Sequence, residues 1–178
     1  TICKIILFYF EQKKTYIVYR RVLINWCRLK FKGSYNMEIG FFTMPIHPVN
    51  KDWRVSLKED REAFLLADEL GFSEAYVGEH VTDAAENITS CAMFVASLAA
   101  ETKQIRLGTG TVNLPNSHPA HVAGQVAMLD HMLDGRLNFG ISPGGLASDA
   151  EVFGTLDNNR NEMFLEGIDI VLKIWESE

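Results

Sequence analysis

The chain has 178 residues, of which 47% are hydrophobic and 22% are charged, a composition typical of a globular protein with a buried core. Its formal net charge is −6, and because Lys and Arg are concentrated in the first 36 positions, the remainder is more acidic still. An acidic body argues against a nucleic acid or an anionic membrane as the main partner.

Residues 1–36 differ in character from the rest of the chain. They are basic and rich in aromatic residues, show no clear periodicity, and precede the first methionine, Met37. Their apolar runs are shorter than the roughly 20 residues that a membrane span needs, and they lack a signal-peptide pattern. We expect 1–36 to be an extension outside the native fold and 37–178 to be the folded domain. The alternatives are a basic targeting arm or a membrane-surface segment.

From Met37 onward, short apolar segments alternate with amphipathic ones. The predicted strands are Met37–Phe42, Glu74–Gly78, Ile105–Gly110 and Arg136–Ile141, and the predicted helices are Ser56–Leu70, Ser90–Glu101, Ala120–Leu133 and Asn158–Trp175. Ser56 and Glu59 have the spacing of a capping box, and Asn87 or Thr89 can cap the second helix. Four βα units in succession predict a parallel sheet with right-handed crossovers.

Two architectures contain such a sheet, an open doubly wound fold and a (β/α)₈ barrel. The first βα loop, Thr43–Val55, contains no glycine, which argues against the phosphate-binding turn of a nucleotide-binding fold. A (β/α)₈ barrel needs about 250 residues, so four units fill half of one. We therefore predict an incomplete (β/α)₈ TIM barrel that holds the first four βα units and is truncated at its C-terminus.

Several side chains are expected to be structural. The three cysteines make an odd number without metal-ligand spacing, which favours a reducing cytoplasm, and Cys91 is predicted to lie in the core. Five larger side chains are also expected in the core: Met93, Phe94, Met128, Met132 and Phe139. Glu59–Glu62 is predicted to form a solvated helix face. The sequence has no HxH, HExxH or CxxC pair, so no metal site is expected.

In a parallel α/β fold the chemistry lies at the C-terminal ends of the strands. His80, beside Glu79 after the second strand, is the best candidate for acid–base work because imidazole titrates near neutral pH. The alternative is a histidine that is hydrogen-bonded into the rim. The glycines of Gly108–Thr111 would let a flat ligand approach the backbone, or they leave room for packing. Ser142 has no base beside it in the sequence, which argues against a serine nucleophile.

Three long stretches, in this order, carry a resemblance to a known family. They are Ala75–His80 (AYVGEH), Arg106–Pro119 (RLGTGTVNLPNSHP) and Leu129–Gly145 (LDHMLDGRLNFGISPGG), and Val152–Gly154 with Asn159-Arg160 extends the match. With these segments the chain resembles the flavin-dependent monooxygenases of the bacterial luciferase-like family over about residues 37–176. The resemblance implies the N-terminal half of that family's TIM barrel.

The resemblance also implies roles for individual residues. Glu79 and His80 match the family's catalytic Glu-His pair, and the bond Gly110–Thr111 matches a non-proline cis peptide that lies against the flavin. The expected cofactor-binding residues are Thr109, Gly110, Thr111, Asn113, Ser142 and Gly144. Ser142 stands where true luciferase has a reactive cysteine, and Pro143 follows it. The chain therefore looks more like the limonene or alkane monooxygenase branch than like a light-emitting enzyme.

The function that the resemblance implies is oxygenation of a small organic substrate by O₂ and reduced FMN. A separate flavin reductase would supply the reduced FMN, and the full-length protein would be a dimer. Two alternatives stay open: an F420-dependent oxidoreductase of the same fold, and a non-catalytic flavin-binding partner subunit. Because the family holds the flavin phosphate mainly with loops beyond the fourth strand, we expect this chain alone to bind FMN poorly and not to turn over.

Overall fold

The computed structural model describes residues 5–8 and 38–177 of the chain. Its strands are β1 (Ile5–Phe8), β2 (Ile39–Thr43), β3 (Glu74–Val77), β4 (Arg106–Thr109), β5 (Val112–Asn113), β6 (Leu137–Asn138) and β7 (Ile141–Ser142). Its helices are α1 (Trp53–Glu69), α2 (Cys91–Leu98), α3 (Pro119–Met132), α4 (Ala147–Val152) and α5 (Arg160–Glu176), with a 3₁₀ turn at Leu114–Asn116. Helices and strands alternate, as the sequence predicts.

The strands follow one another in space in the order in which they occur in the chain. Five of them form one parallel sheet in the order β1-β2-β3-β4-β6, and β5 and β7 form a second parallel pair. Phe42, Tyr76, Gly108 and Asn138 share one row across this sheet. A doubly wound sheet reverses its strand order at a switch point, and no reversal occurs among the described strands. This arrangement is that of the first part of a (β/α)₈ barrel, as predicted.

The N-terminal extension is described only at Ile5–Phe8, which pairs in parallel with Ile39–Phe42 at the edge of the sheet. The rest of 1–36 lies outside the described residues. Whether the extension belongs to the native fold therefore stays a prediction. In the part of the chain that the structure describes, we find no helix with both the length and the apolar character that a bilayer crossing requires.

The core lies between the sheet and the helices. Alternate strand residues face the helices because successive side chains of a strand point to opposite sides, and Phe41, Val77 and Leu107 are buried there. Phe64 of α1 is fully buried and meets the rings of Phe41 and Phe94 edge to face, at centroid distances of 5.1 and 5.3 Å. The opposite face of the sheet carries the residues of the candidate site.

A buried carboxylate and an arginine hold the amino-terminal end of the sheet. Asp68, near the end of α1, accepts hydrogen bonds from the backbone N–H groups of Lys103, Gln104 and Ile105 at 2.9, 3.0 and 2.8 Å. Arg136 donates to the carbonyl oxygen of Ile105 at 2.9 Å and to Thr102. These contacts fix the loop that leads into β4.

Both helix-cap predictions were wrong. Helix α1 begins at Trp53 because the carboxylate of Asp52 accepts a hydrogen bond from the N–H of Arg54. The Ser56 hydroxyl is instead buried within the helix, and no partner is found for it among the described residues. Helix α2 is capped by Ser90, not by Asn87 or Thr89. In each case several local cap patterns compete, and the tertiary structure selects one.

The predicted strand 105–110 is confirmed as β4, Arg106–Thr109, and a further short strand, β5, follows it after Gly110 and Thr111. The predicted strand 136–141 is interrupted at Phe139 and Gly140, between β6 and β7. Helix α4 was not predicted. The turn Asp134-Gly135 ends α3 with positive φ angles of 50° and 73°.

The methionine prediction was also wrong. Met93, Met128 and Met132 are 75%, 65% and 45% exposed, whereas Phe94 and Cys91 are buried as expected. The methionines lie on the outer surfaces of α2 and α3, where apolar periodicity does not distinguish a core face from an exposed one.

The prediction that Glu59–Glu62 forms a solvated helix face was wrong as well. Three of these four residues are half-buried, and the acids and the arginine among them form ion pairs.

Candidate active site at the carboxyl ends of the strands

The carboxyl ends of the parallel strands meet at one edge of the sheet. The N–H of Gly78, just after β3, donates to the carbonyl of Thr43 at the end of β2 at 3.1 Å, and the N–H of Gly110 donates to Val77 at 2.7 Å. The hydroxyl of Thr109 donates to the carbonyl of Gly140 at 2.7 Å and accepts from its N–H at 2.9 Å. Four strand ends are thus joined into one surface, as the sequence predicts.

Glycines form the middle of this surface. A Cβ added to Gly78 would overlap the sulfur of Met44, one added to Gly110 would lie 2.9 Å from the ring of Phe42, and one added to Gly140 would overlap a backbone oxygen. The Gly110–Thr111 peptide bond is cis, as the resemblance implies. Gly78, Gly110 and Gly140, here called the glycine strip, therefore present peptide groups where other residues would present side chains.

An open cavity of about 280 Å³ lies against two members of the strip, Gly110 and Gly140. Its walls also include Phe42, Tyr76 and Thr111 and, nearer the amino-terminal ends of the strands, Gly40, Phe41 and Glu74. The cavity therefore runs along the face of the sheet to its carboxyl edge. This volume is just below the range for small-molecule sites, about 300–1,000 Å³. The aromatic rings and the bare peptide groups of this wall suit a flat, partly apolar ring, so these residues fit the flavin that the resemblance implies, and the carboxylate of Glu74 lies at the other end of the cavity.

Four of the predicted cofactor-binding residues are joined by hydrogen bonds. The Thr111 hydroxyl donates to the Ser142 hydroxyl at 2.7 Å, and the latter donates to the side-chain oxygen of Asn113 at 2.9 Å. The N–H of Gly144 also donates to Ser142, at 3.2 Å. The Ser142 proton is therefore held by a carboxamide oxygen, which is no base, and a serine nucleophile is disfavoured. The other two predicted residues, Thr109 and Gly110, lie on the cavity wall.

Both carboxylate oxygens of Glu79 accept hydrogen bonds. One oxygen accepts hydrogen bonds from the N–H and the thiol of Cys91 at 2.9 and 3.0 Å, and the other accepts from the N–H of Asn113 at 3.2 Å. Burial, followed by the negative charge of Glu79, raises the pKa of the Cys91 thiol well above its usual range. Glu79 thus ties the end of β3 to the start of α2 and to β5.

His80 does not pair with its neighbour Glu79. Its Nδ1 lies 2.7 Å from a carboxylate oxygen of Glu86, and the side chains of His80 and Glu86 are 24% and 10% exposed. The N–H of His80 donates to the carbonyl of Ile88 at 3.2 Å. Sequence reasoning missed Glu86 because it lies in an irregular loop, where no periodicity indicates which way a side chain points.

Asp149 of α4 is a second missed residue. It is 2% exposed and accepts hydrogen bonds from the N–H of Val81 at 3.2 Å, and from the N–H and hydroxyl of Thr82 at 2.9 and 2.6 Å. Burial alone would raise the pKa of Asp149, but these hydrogen bonds, together with the nearby His80, hold it below its usual range. The loop after β3 is therefore anchored to α4.

Arg160, at the start of α5, is a third residue that sequence reasoning missed. Its guanidinium donates to the carbonyl of Pro143 at 2.7 and 3.0 Å, to Asn116 at 3.2 Å and to Thr155 at 2.6 Å. It thereby holds the loop after β7 against the turn that follows β5. Asn159-Arg160 belongs to the stretches that carry the resemblance, but no local pattern indicated that this arginine reaches the strand ends.

In the described part of the chain, no group of three or more His, Cys, Asp or Glu side chains is placed to hold a metal ion.

The fold and the site define a class: a barrel-type α/β protein with a glycine-lined cavity that runs along the sheet to the carboxyl ends of its strands. The model of the luciferase-like monooxygenase family matches residues 37–178. The chain is 35% identical over 142 residues to limonene 1,2-monooxygenase of Rhodococcus erythropolis, covering 80% of this chain and 37% of that protein. It is 33% identical over 150 residues to 2,5-diketocamphane 1,2-monooxygenase 1 of Pseudomonas putida, covering 80% and 39%.

Solved structures agree with this assignment. The oxygenating constituent of 3,6-diketocamphane monooxygenase of Pseudomonas putida, a type II Baeyer–Villiger monooxygenase in complex with FMN, matches with a TM-score of 0.77 and 28% identity over 80% of this chain and 40% of that one. A monooxygenase of Streptomyces bottropensis matches with a TM-score of 0.75 and 31% identity, covering 80% and 44%. The chain belongs to the luciferase-like monooxygenase family, and it spans about two fifths of the length of these relatives.

Proposed function

We propose that the protein represented by this chain is the oxygenase component of a flavin-dependent monooxygenase, with a small organic molecule as its substrate. The observation that carries the proposal is the glycine strip at the carboxyl ends of the strands, beside a cavity with aromatic walls, with His80 on the loop that leaves β3. Family membership supports the reaction class, and a 28%-identical structure is an FMN complex.

Each part of the site has a role in this proposal. Gly110 and Gly140 would receive the flavin ring, and the network through Thr111, Ser142 and Asn113 would border it. Reduced FMN, when bound, supplies the electrons for activating O₂. His80 would move a proton, whereas Glu79, whose oxygens already accept three hydrogen bonds, would position the strand ends.

Other partners follow from the same reading. We infer that a separate flavin reductase delivers the reduced FMN, because two-component systems of this kind oxygenate without reducing their own flavin. The dimer and the cytoplasmic location stay predictions. The chain spans about two fifths of its relatives, and we expect it to bind FMN weakly by itself.

The test uses the longest translation product of the gene that encodes this chain. We expect O₂ uptake, with the oxygen atom found in the organic product, when photoreduced FMN and a cyclic terpene or ketone are added. Reduction of F420 without O₂ uptake would support the F420 alternative instead. Flavin binding without turnover of any substrate would support the non-catalytic partner. Titration of the 178-residue chain with FMN tests the weak binding separately, and full occupancy at micromolar FMN would contradict it.

A further inference from the structure

The imidazole of His80 is held at one nitrogen only. Nδ1 lies 2.7 Å from Glu86, and within residues 38–177 no hydrogen-bond partner is found for Nε2. An ionised carboxylate can only accept a hydrogen bond, so the proton of this contact must lie on Nδ1. In the neutral ring the other nitrogen, Nε2, then carries a lone pair and no proton.

We propose that Glu86 is a positioning residue that fixes His80 in the Nδ1–H tautomer, so that Nε2 is the atom that accepts a proton or a hydrogen bond from a bound molecule. The proposal rests on the proposed function for its catalytic meaning, but the tautomer itself can be measured without flavin. Neither the sequence position of Glu86 nor the Glu79-His80 motif indicates this pairing.

The position of Glu86 is itself fixed by the fold. Glu86 is 8% exposed and forms an antiparallel bridge with Ile46 from the loop after β2. Its N–H donates to the carbonyl of Asp83 at 3.2 Å, and the carboxylate of Asp83 accepts from the N–H of Ala85 at 2.8 Å. Glu86 is thus held both by its own loop and by the loop after β2. Its carboxylate is therefore fixed well enough to orient the imidazole ring of His80.

Three acidic groups have to be distinguished in their effect on the ring. Glu86 contacts it directly, Asp149 of α4 acts on it through its charge, and Asp83 lies on the same loop. Only Glu86 is within hydrogen-bond distance of the imidazole in the described part of the chain. Asp149 and Asp83 can change the electrostatic potential at the ring but cannot select which nitrogen carries the proton. The role of Glu86 can therefore be tested separately from theirs.

A second histidine provides an internal reference. Nε2 of His47 lies 3.0 Å from both carboxylate oxygens of Asp60, and Lys51 donates to Nδ1 at 3.2 Å. By the same reasoning His47 is the Nε2–H tautomer, the opposite of His80. His47 is 7% exposed, so it reports whether the domain is folded. One chain thus contains two histidine–carboxylate pairs whose tautomers should differ.

The experiment is nuclear magnetic resonance of the chain labelled with ¹⁵N-histidine, at about pH 8.5, which is about two units above the ordinary pKa of free imidazole. The chain has five histidines, and the spectra of His80→Gln and His47→Gln assign the two that matter. We expect His80 with the proton on Nδ1 and His47 with the proton on Nε2. A His80 signal of the Nε2–H form in the unmodified chain would overturn the proposal.

Three variants separate positioning from structure. Glu86→Leu removes the acceptor, and we expect His80 to change to the Nε2–H tautomer while the His47 signals stay in place. Glu86→Gln retains an acceptor oxygen, so the Nδ1–H form should be restored. Asp83→Asn removes one negative charge from the same loop but keeps a side-chain oxygen that can accept from the N–H of Ala85, so it should leave Glu86 in place and His80 unchanged. An unchanged His80 tautomer in Glu86→Leu, with His47 in place, would overturn the proposal.

Turnover connects the tautomer to catalysis. A positioned acid or base contributes about 10²–10⁴-fold, so in the oxygenase assay we expect kcat to fall about tenfold or more in Glu86→Leu and to recover substantially in Glu86→Gln. Equal kcat values in both variants and the unmodified protein would refute the positioning role. If the tautomers are as expected but no oxygenase activity is found, the His80–Glu86 pairing stands and the proposed function fails.

Discussion

The contacts of Asp68 at the amino-terminal end of the sheet predict a large loss of stability on Asp68→Asn. Asp68 is 7% exposed, and its carboxylate accepts three backbone hydrogen bonds, one on Oδ2 from Lys103 and two on Oδ1 from Gln104 and Ile105. Asparagine keeps one oxygen and replaces the other with an NH₂ group. If the remaining oxygen stays with Gln104 and Ile105, the NH₂ group faces the N–H of Lys103, and two donors then oppose each other.

The size of the effect follows from these bonds. A hydrogen bond to a charged group contributes about 1.5–3 kcal/mol, and a buried donor left without an acceptor costs about 1–3 kcal/mol. One bond is lost and two lose their charge, so we expect the free energy of unfolding to fall by about 2–4 kcal/mol. Typical domains have only about 5–15 kcal/mol in total, so this loss should be easy to measure.

The effect should depend on pH. Burial alone would raise the pKa of Asp68, but hydrogen bonds from the backbone of Ile105, Lys103 and Gln104, and the charge of Arg136, hold it below its usual value. A carboxyl whose pKa is lower in the folded state stabilises the fold fully above its unfolded pKa of about 4, and this contribution is lost as the pH falls through the folded pKa. The difference in stability between the unmodified chain and the Asp68→Asn variant should therefore shrink below about pH 4.

The assay is urea unfolding, followed by tryptophan fluorescence and circular dichroism at about pH 7 and about pH 3.5, on either side of the ordinary carboxyl pKa. Asp169→Asn is the matched control, because Asp169 is exposed on α5 and a surface change of this kind usually alters stability by less than about 0.5 kcal/mol. A loss below about 1 kcal/mol at neutral pH, or a difference that is the same at both pH values, would refute the account of Asp68.

Three further predictions concern individual positions. Gly140→Ala should destabilise the fold by about 1–3 kcal/mol because the added Cβ overlaps the backbone oxygen of Thr109. Gly124→Ala, in open space on α3, should instead stabilise it by about 0.5–1 kcal/mol. Equal urea midpoints for the two variants would contradict this. Asn87→Leu should raise the melting temperature, since neither polar atom of the buried carboxamide has a partner among the described residues; a lower melting temperature would show that the amide is needed. Cys91 should react with a thiol reagent at about pH 8 only after unfolding, since burial and Glu79 raise the pKa of its thiol. The test uses a variant whose other two cysteines are serine, and rapid labelling of the folded chain would contradict the prediction.

The succession of βα units could be predicted because it depends on local patterns. Phe41, Val77 and Leu107 lie in short apolar runs, and such runs are typical of strands that are covered on the helix side. Once the strands are placed, their carboxyl ends follow, and with them Gly110 and His80. These predictions need only the order of the elements and the rule that parallel strands end at one edge.

The partners of the site residues could not be predicted in this way. Asp149 lies 68 residues from Val81 in the sequence, and Glu86 reaches His80 from within an irregular loop. The cap of α1 had the same difficulty on a smaller scale, since Asp52 and Ser56 are both good cap residues and only packing selects between them. Side-chain direction in loops depends on such contacts and leaves no periodic signal.

Carboxylates that bind distant backbone groups explain why the loop conformations could not be predicted locally, whereas the βα units could. Asp68, Glu79 and Asp149 each accept backbone N–H groups from a different βα unit, across 34 to 68 residues of sequence. Each therefore fixes a loop conformation that the loop's own residues do not determine. Asp68 does so at the amino-terminal end of the sheet, and its loss should affect stability alone. Glu79 and Asp149 do so beside His80, so the same kind of bond there sets the geometry on which catalysis would depend.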